Sequence, residues 1–362
     1  YAVSLVISIA LGFTPTLHSD IAAIGIITLL TLIYTFEGGL TAVIWTDVVQ
    51  MAIYMAGTAI GLATILHLIP GGWSTLHATA SAAGKFHIWN FSLSPAQPYT
   101  IFAGLIGGAF LTTASHGTDQ LMVQRLLAAK NQVESRLALL SSGVFVFMQF
   151  SFFLLVGAGL FVLYHGAKFT TTSDRIFPTF IVTRMPHGIS GLLIAAILAA
   201  AMSNLSAALN SLSSTSVIDF YAQMFPGSSD KSRVWISRWL TIVWGVVLFG
   251  LAILSRGGGR VVEVGLAIAS VAYGGLLGVF LLGTLTKRAT EDGAIIGMIC
   301  GLAMNLVIWQ GARFGIPVPE IAFTWYVPIG SILTFVIGYG VSLMQQRPTG
   351  SQAPVRVMKT QG

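Results

Sequence analysis

Long apolar runs separated by short polar intervals dominate the chain. They predict helical spans at about 20–36, 45–68, 99–124, 135–164, 188–219, 235–255, 261–285, 291–312 and 323–345, and residues 1–12 read as the tail of a helix. A helix needs about 20 apolar residues to cross roughly 30 Å of hydrocarbon, and several of these runs reach that length. The apolar stretches are continuous and do not alternate with polar residues, which argues against a β-barrel. Most connections are short. Two are longer, PGGWSTLHATASAAGKFHIWNFSLSPAQPYT and HGAKFTTTSDRIFPTFIVTRMPHG, and these are expected to form partial lids.

One span changes character along its length. The apolar run IFAGLIGGAFLTTAS, residues 101–115, passes into HGTDQLMVQRLLAAK, residues 116–130, with no proline between them. Fifteen helical residues rise about 22 Å, so a span beginning near Tyr99 has to continue through His116, Asp119 and Gln120. An Asp at the centre of a membrane helix costs about 2.5–3.5 kcal/mol, so Asp119 is expected to face protein or water. Gly107, Gly108 and Gly117 favour a local unwinding that frees carbonyls to line a cavity. Interrupted helices of this kind mark binding sites in transporters. An ordinary helix reaching the cytoplasm early, with Asp119 and Gln120 at the interface, is the alternative.

A second informative stretch is LAAAMSNLSAALNSLSSTSVIDFY, residues 198–221. Ser203, Ser206 and Asn210 recur at i, i+3 and i+7 and so share one helix face, with Ala200 one turn earlier. Alanines at 199–201, 207 and 208 let neighbouring backbones approach closely. Neutral hydroxyl and amide oxygens with a few carbonyls suit a monovalent hard cation, and sodium is the natural candidate. Against this stands the habit of membrane serines to bond their own i−4 carbonyl or a neighbouring helix.

A third stretch, YTFEGGLTAVIWTDVVQ, residues 34–50, places Glu37 and Asp47 beside a span, with Gly38 and Gly39 predicting a tight cytoplasmic turn. Asp47 follows Thr46 where a helix is expected to start, so it reads either as an acidic cap or as an ion ligand. It gains the second meaning if it faces the hydroxyl stripe.

Composition confirms the solvent. Hydrophobic residues make up 55% of the chain and charged residues 8%, against roughly 25% charged in an average soluble domain, so this is an integral membrane protein. Lys and Arg set its orientation. One face collects Arg125, Lys130, Arg136, Lys231, Arg233, Arg238, Lys287, Arg288, Arg347, Arg356 and Lys359, against seven on the other, which places the loop after residue 125 and the tail 346–362 in the cytoplasm. The net charge of +6 then belongs to a rim that meets anionic lipid head groups, and no basic stripe for nucleic acid exists. The single cysteine, Cys300, permits no internal disulfide and reads as packing. The opening segment is too short to span and does not read as a signal peptide, so upstream helices are expected to be absent.

Three of these motifs occur together in one family. YTFEGGLTAVIWTD, HGTDQLMVQRLLAAK and AAAMSNLSAALNSLSSTSVIDFY resemble the sodium:solute symporter family, whose members carry sugars, sialic acid, proline and monocarboxylates. YGGLLGVFLLGTLTKRATEDGAIIG, residues 273–297, resembles a fourth family segment. The likeness runs over essentially the whole chain. It implies an all-α polytopic protein of the LeuT-type inverted-repeat fold, with two five-helix repeats around a midplane site. On that alignment residues 1–345 form a symporter core fragment. It comprises the end of the third core helix, helices four and five, a second repeat running from the broken sixth helix to the tenth, and two further helices. The first core helices are missing, so the fragment alone is not expected to transport.

The resemblance also implies sites. The family's main sodium site falls on the carbonyl of Ala200 and on Ser203 and Asn204, where Asn204 stands in place of a hydroxyl. A second sodium site in some members combines Asp47 with Ser203, Ser206 and the position of Ala207. Ala207 lacks the oxygen, which argues for one coupled sodium over two. In family terms Asp47 otherwise helps sodium leave towards the cytoplasm. At the solute positions of the sugar transporters this chain has Thr112, Ser115 and Leu266, so a sugar would lose hydrogen bonds worth about 0.5–1.5 kcal/mol each. With Thr113 and His116, these groups suggest a small polar or anionic solute, although His116 also reads as a hydrogen-bonded structural histidine.

The expectation is therefore sodium-coupled symport of such a solute by alternating access, with Na+ as coupling ion and the bilayer as partner, in a multi-pass protein of the bacterial inner (plasma) membrane. Two alternatives stand beside it. An intramembrane enzyme would use Ser115, His116 and Asp119. Adjacent helical residues point about 100° apart, so Ser115 and His116 are not expected to hydrogen-bond. A transporter-like sensor would need a further domain, and the tail 346–362 is too short and polar to fold into one.

Overall fold

Several of the long helices begin where the sequence supplies a cap and run for as long as it stays apolar. The computed structural model describes residues 1–14, 16–35, 40–127, 129–164, 173–255 and 260–345. In chain order the helices are α1 (Ala2–Ala10), α2 (Leu17–Thr35), α3 (Leu40–Leu68), α4 (Gly72–Ala82), α5 (Gly108–Gly117), α6 (Gln120–Leu127) and α7 (Gln132–Leu163). There follow α8 (Ile176–Arg184), α9 (Ile189–Thr215), α10 (Ala222–Met224), α11 (Asp230–Leu254), α12 (Val261–Leu285), α13 (Glu291–Gln310) and α14 (Tyr326–Gln345). Asn131 caps α7 by accepting from the Glu134 amide at 2.8 Å, and Ser229 and Thr290 cap α11 and α13 in the same way. Among the described residues seven helices are long and apolar enough to cross a membrane.

Two connections expected as lids contain helices of their own. Residues 70–100 fold in part into α4 because Leu76 and Ala80 on it are fully buried, and residues 176–184 form α8 because Phe180 and Ile181 are. Both helices are shorter than a span, so hydropathy alone did not separate them from loop. The predicted turn at Glu37, Gly38 and Gly39 and the polar tail 346–362 lie outside the described residues.

Two compact units make up the chain. The first comprises residues 1–87 with 131–264, and the second residues 88–130 with the chain from 265. In the first, α9 packs against α1, α2, α3, α8 and α11. Ile65, Leu76, Leu160, Phe180 and Leu193 form one buried cluster that joins α3, α4, α7, α8 and α9. Asp20, in the first turn of α2, pairs with Arg175 just before α8 at 3.2 Å, and both side chains are buried. The neighbouring Asp174 accepts from the Val261 amide at the start of α12 (3.2 Å).

In the second unit α13 and α14 pack backbone to backbone. A Cβ on Gly297 of α13 would lie 2.9 Å from the Gly338 Cα of α14, and a Cβ on Gly330 would meet the Asn305 side chain and lie 3.1 Å from the Gly274 Cα of α12, so only glycine admits these approaches. Asn305 is fully buried there and donates to the Val271 carbonyl at 3.3 Å. Ala114, Leu277 and Val327 join α5, α12 and α14 in a further cluster.

Candidate functional site

Polar groups gather at one place in each unit. In the first unit they lie where α9 meets α2 and α3. Ser203 and Ser206, three residues apart on α9, are only 3% and 5% exposed in an otherwise apolar layer. The Ser203 hydroxyl donates to Asp47 Oδ1 at 2.8 Å. The Thr35 hydroxyl, at the end of α2, donates to Ser206 Oγ at 3.0 Å and shares its proton with the Thr31 carbonyl at 2.6 Å. Three helices thus contribute three buried hydroxyls and a half-buried carboxylate to one seam.

Two readings of this region change. Asp47 lies well inside α3, which starts at Leu40, so it is not a helix cap, and it faces the hydroxyl stripe. Ser203 and Ser206 are spent on neighbouring helices, in contrast to Thr28, Thr58 and Ser216, which bond their own i−4 carbonyls. Asn210 shares the angular face but is exposed, and the buried stripe continues instead through Ser213, whose hydroxyl donates to the Ser237 carbonyl on α11 at 2.6 Å.

The expected carbonyl ligand has a partner already. Asn204, an exposed residue, turns its Nδ2 onto the Ala200 carbonyl at 2.9 Å. A hydroxyl at 204 could bond the same carbonyl, as Ser216 bonds that of Leu212, so what the asparagine changes is the reach and kind of its own oxygen. A carbonyl has two lone pairs, so one remains for a further partner.

In the second unit the interruption falls just after Gly117, within the polar stretch where it was expected, and not at Gly107 and Gly108. Around Gly107 the chain widens into a π-helical turn, Ala103–Gly107, and stays helical through Gly117. Gly107 is glycine because the Thr324 carbonyl lies where its Cβ would be. The helix breaks at Thr118 and Asp119 and resumes as α6, whose first amides bond the Asp119 carbonyl. The Asp119 carboxylate accepts from the Tyr273 hydroxyl of α12 at 2.6 Å. A charged group at the break is thereby held against protein, as its insertion cost requires.

The candidate solute residues line the preceding turns. Thr112 and Thr113 are exposed, and the Thr113 hydroxyl bonds the Ala109 carbonyl at 2.8 Å. Ser115 and His116 are half-buried. Contrary to expectation, Ser115 Oγ lies 2.9 Å from His116 Nδ1. Both side chains fold back onto the Thr112 carbonyl, at 3.2 and 3.1 Å, and their polar tips meet there although their Cβ directions diverge. Leu266 is half-buried on α12 and, with Leu111, Tyr99, Phe323 and Thr324, lines a cavity of about 450 Å³. The buried Thr324 hydroxyl in that wall has no hydrogen-bond partner among the described residues.

Thr35 and Tyr273 are the residues that sequence reasoning missed. Thr35 closes an apolar run and gave only the weak signal of a hydroxyl at a helix end. Tyr273 stands inside the quoted segment 273–297, where its tyrosine was the one polar group in a small-residue run.

Comparison with known proteins covers most of the chain. The profile of the sodium:solute symporter family matches residues 5–301. The chain is 31% identical over 327 residues to the human sodium-coupled monocarboxylate transporter 1, covering 88% of this chain and 53% of that protein. It is 31% identical over 341 residues to the sodium/sialic acid symporter SiaT of Proteus mirabilis, covering 91% of this chain and 66% of that one. A solved Na+-coupled sialic acid symporter, in a substrate-bound outward-open state, matches with a TM-score of 0.75 at 30% identity, over 95% of this chain and 70% of that one. The chain thus spans about half the length of the human relative. The fold is all-α and of the LeuT type, in an integral multi-pass membrane protein.

Proposed function

The chain belongs to the sodium:solute symporter family, and from that premise we propose that it serves sodium-coupled symport of a small organic anion by alternating access. The observation that carries this reading is the seam of buried Ser203, Ser206 and Thr35 with half-buried Asp47. Hard monovalent cations take neutral and anionic oxygens, and this seam offers both kinds within an apolar layer.

Sodium is a co-substrate here. Ala200, Ser203 and Asn204 would hold it at one position through a carbonyl, a hydroxyl and an amide oxygen. Asp47, Ser203 and Ser206 would form a second, with the Thr35 hydroxyl supplying the oxygen that Ala207 lacks. Differential binding is what drives the cycle: an ion that binds one conformation better shifts the population toward it, and the solute then meets an assembled site.

Thr112, Thr113, Ser115, His116 and Leu266 would face the solute. The relatives are described as carriers of monocarboxylates and of sialic acid, and the Ser115–His116 pair offers a hydroxyl and an imidazole N–H to a carboxylate. Leu266 adds an apolar wall, which suits a short hydrocarbon tail better than a sugar. The family is one of transporters, so the Ser115–His116 contact is assigned to solute binding and not to a nucleophile and its base. By likeness to the Proteus mirabilis symporter, the bacterial inner membrane is the proposed location.

The test uses the full-length protein in proteoliposomes with labelled lactate and labelled N-acetylneuraminate under an imposed sodium gradient. Accumulation of either that collapses when sodium is equal on both sides is the expected result. Accumulation indifferent to sodium would overturn the reading. A Ser115→Ala variant is expected to keep measurable uptake with a raised KM.

A further inference from the structure

The cytoplasmic end of α11 carries a face that the transport reading leaves unused. One side of the helix is committed: Ser237 meets Ser213, Trp244 Nε1 donates to Ser216 Oγ at 3.0 Å, and Gly245 lies under Leu32. Counting about 100° per residue, Lys231, Trp235, Arg238, Trp239 and Ile242 all fall roughly 100–200° away from Ser237, on the opposite side. All five are exposed, Trp235 by 62% and Trp239 by 53%. The two indoles meet edge to face with centroids 5.8 Å apart. Among the described residues neither Lys231 nor Arg238 has an ion pair or hydrogen-bond partner, whereas the nearby Arg233 is held by Ser228 at 3.0 Å.

The order of these groups along the helix matches the layers of a bilayer surface. Lys231 stands at the rim, and Trp235 and Trp239 follow at the depth where amphipathic rings collect. Ile242, Val243 and Val246 then continue exposed into the apolar span. Arg238 lies two turns, about 10.5 Å, below Lys231, but helical side chains tilt toward the N-terminus, so its guanidinium extends back toward the rim. Two unpaired cations therefore converge above two indole N–H donors and an apolar strip.

We propose that this face of α11 binds the head group of an anionic phospholipid in the cytoplasmic leaflet. Lys231 and Arg238 hold the phosphate, the Trp235 and Trp239 indoles sit at the glycerol level, and Ile242 and Val246 lie along the acyl chains. Charge complementarity selects an anionic lipid over a zwitterionic one, and the apolar strip selects a lipid over free phosphate. The inference rests on the membrane placement of α11 and is independent of the ion and solute assignments.

The test places the full chain in nanodiscs of phosphatidylcholine doped with dansyl-labelled phosphatidylglycerol or dansyl-labelled phosphatidylcholine, and reads energy transfer from tryptophan. Labelled phosphatidylglycerol is expected to associate roughly tenfold better than labelled phosphatidylcholine at low salt. The Lys231→Gln/Arg238→Gln double variant should abolish the preference, while Lys231→Arg/Arg238→Lys and Arg313→Gln, a cation elsewhere on the surface, should keep it. Equal association of both lipids with the wild-type chain would overturn the proposal. So would a preference that survives in a folded double variant, or one that soluble glycerol phosphate displaces.

Discussion

Ser203 on α9 donates its hydroxyl proton to Asp47 on α3 across 2.8 Å. The two residues are 156 positions apart in the chain, and the contact converts a lone membrane-side carboxylate into part of an oxygen-lined seam. A hydrogen bond to a charged group contributes about 1.5–3 kcal/mol, less where the acceptor is half exposed as Asp47 is. Ser203→Ala should therefore raise the sodium concentration for half-maximal uptake by about tenfold while leaving the rate at saturating sodium within a few-fold. Sodium titration of uptake by the full-length variant reads this directly; an unchanged half-saturation would remove Ser203 from the ion's path.

Asn204 offers the converse experiment. Its Nδ2 occupies one lone pair of the Ala200 carbonyl at 2.9 Å. Asn204→Ala releases that oxygen without supplying another donor, so the half-saturating sodium concentration should fall, roughly three- to tenfold for one hydrogen bond of about 1 kcal/mol. A rise instead would mean that the amide oxygen itself is a ligand.

The Asp20–Arg175 pair should be tested for stability. Its side chains are 5% and 10% exposed, so removing one partner strands a charge. Arg175→Gln is expected to destabilise by about 3–5 kcal/mol, and the Asp20→Asn/Arg175→Gln double variant should recover a large part of this. Thermal unfolding of the two variants and the parent in one lipid environment measures the difference. Equal melting of single variant and parent would show the pair to be solvated.

Two glycines of α14 differ in what surrounds them. A Cβ at Gly330 would meet Asn305 and the Gly274 Cα, while at Gly340 nothing lies within 4 Å. Gly330→Ala should cost about 1–3 kcal/mol through overpacking, and Gly340→Ala should be neutral or slightly stabilising. Comparing the two unfolding temperatures controls for helix propensity, because both positions lie in the same helix.

Much of this was legible along the chain. Residues 101–130 announced an interrupted helix through a length deficit alone, and the serines at 203 and 206 announced a polar face through their spacing. Asp47 was left open between cap and ligand, because the start of α3 could not be located from the apolar run; the helix begins at Leu40 and carries Asp47 into its interior. The denial of a Ser115–His116 bond failed for a different reason. Cβ directions follow from helix geometry, but the tips of the side chains are set by a shared acceptor, the Thr112 carbonyl.

What the sequence determined by itself was the solvent and the approximate placement of most long helices, because transfer into hydrocarbon is a sum over local residues and needs no partner; of nine expected spans, seven helices among the described residues are long and apolar enough to cross. It also determined family, through motifs whose order survives without knowledge of contacts. The tertiary structure alone decided that Ser203 meets Asp47, that Thr35 meets Ser206, that Tyr273 holds Asp119, and that Asn204 turns back on Ala200. A hydrogen bond depends on distances of tenths of an ångström between groups far apart in the chain, and such distances exist only once the helices have packed.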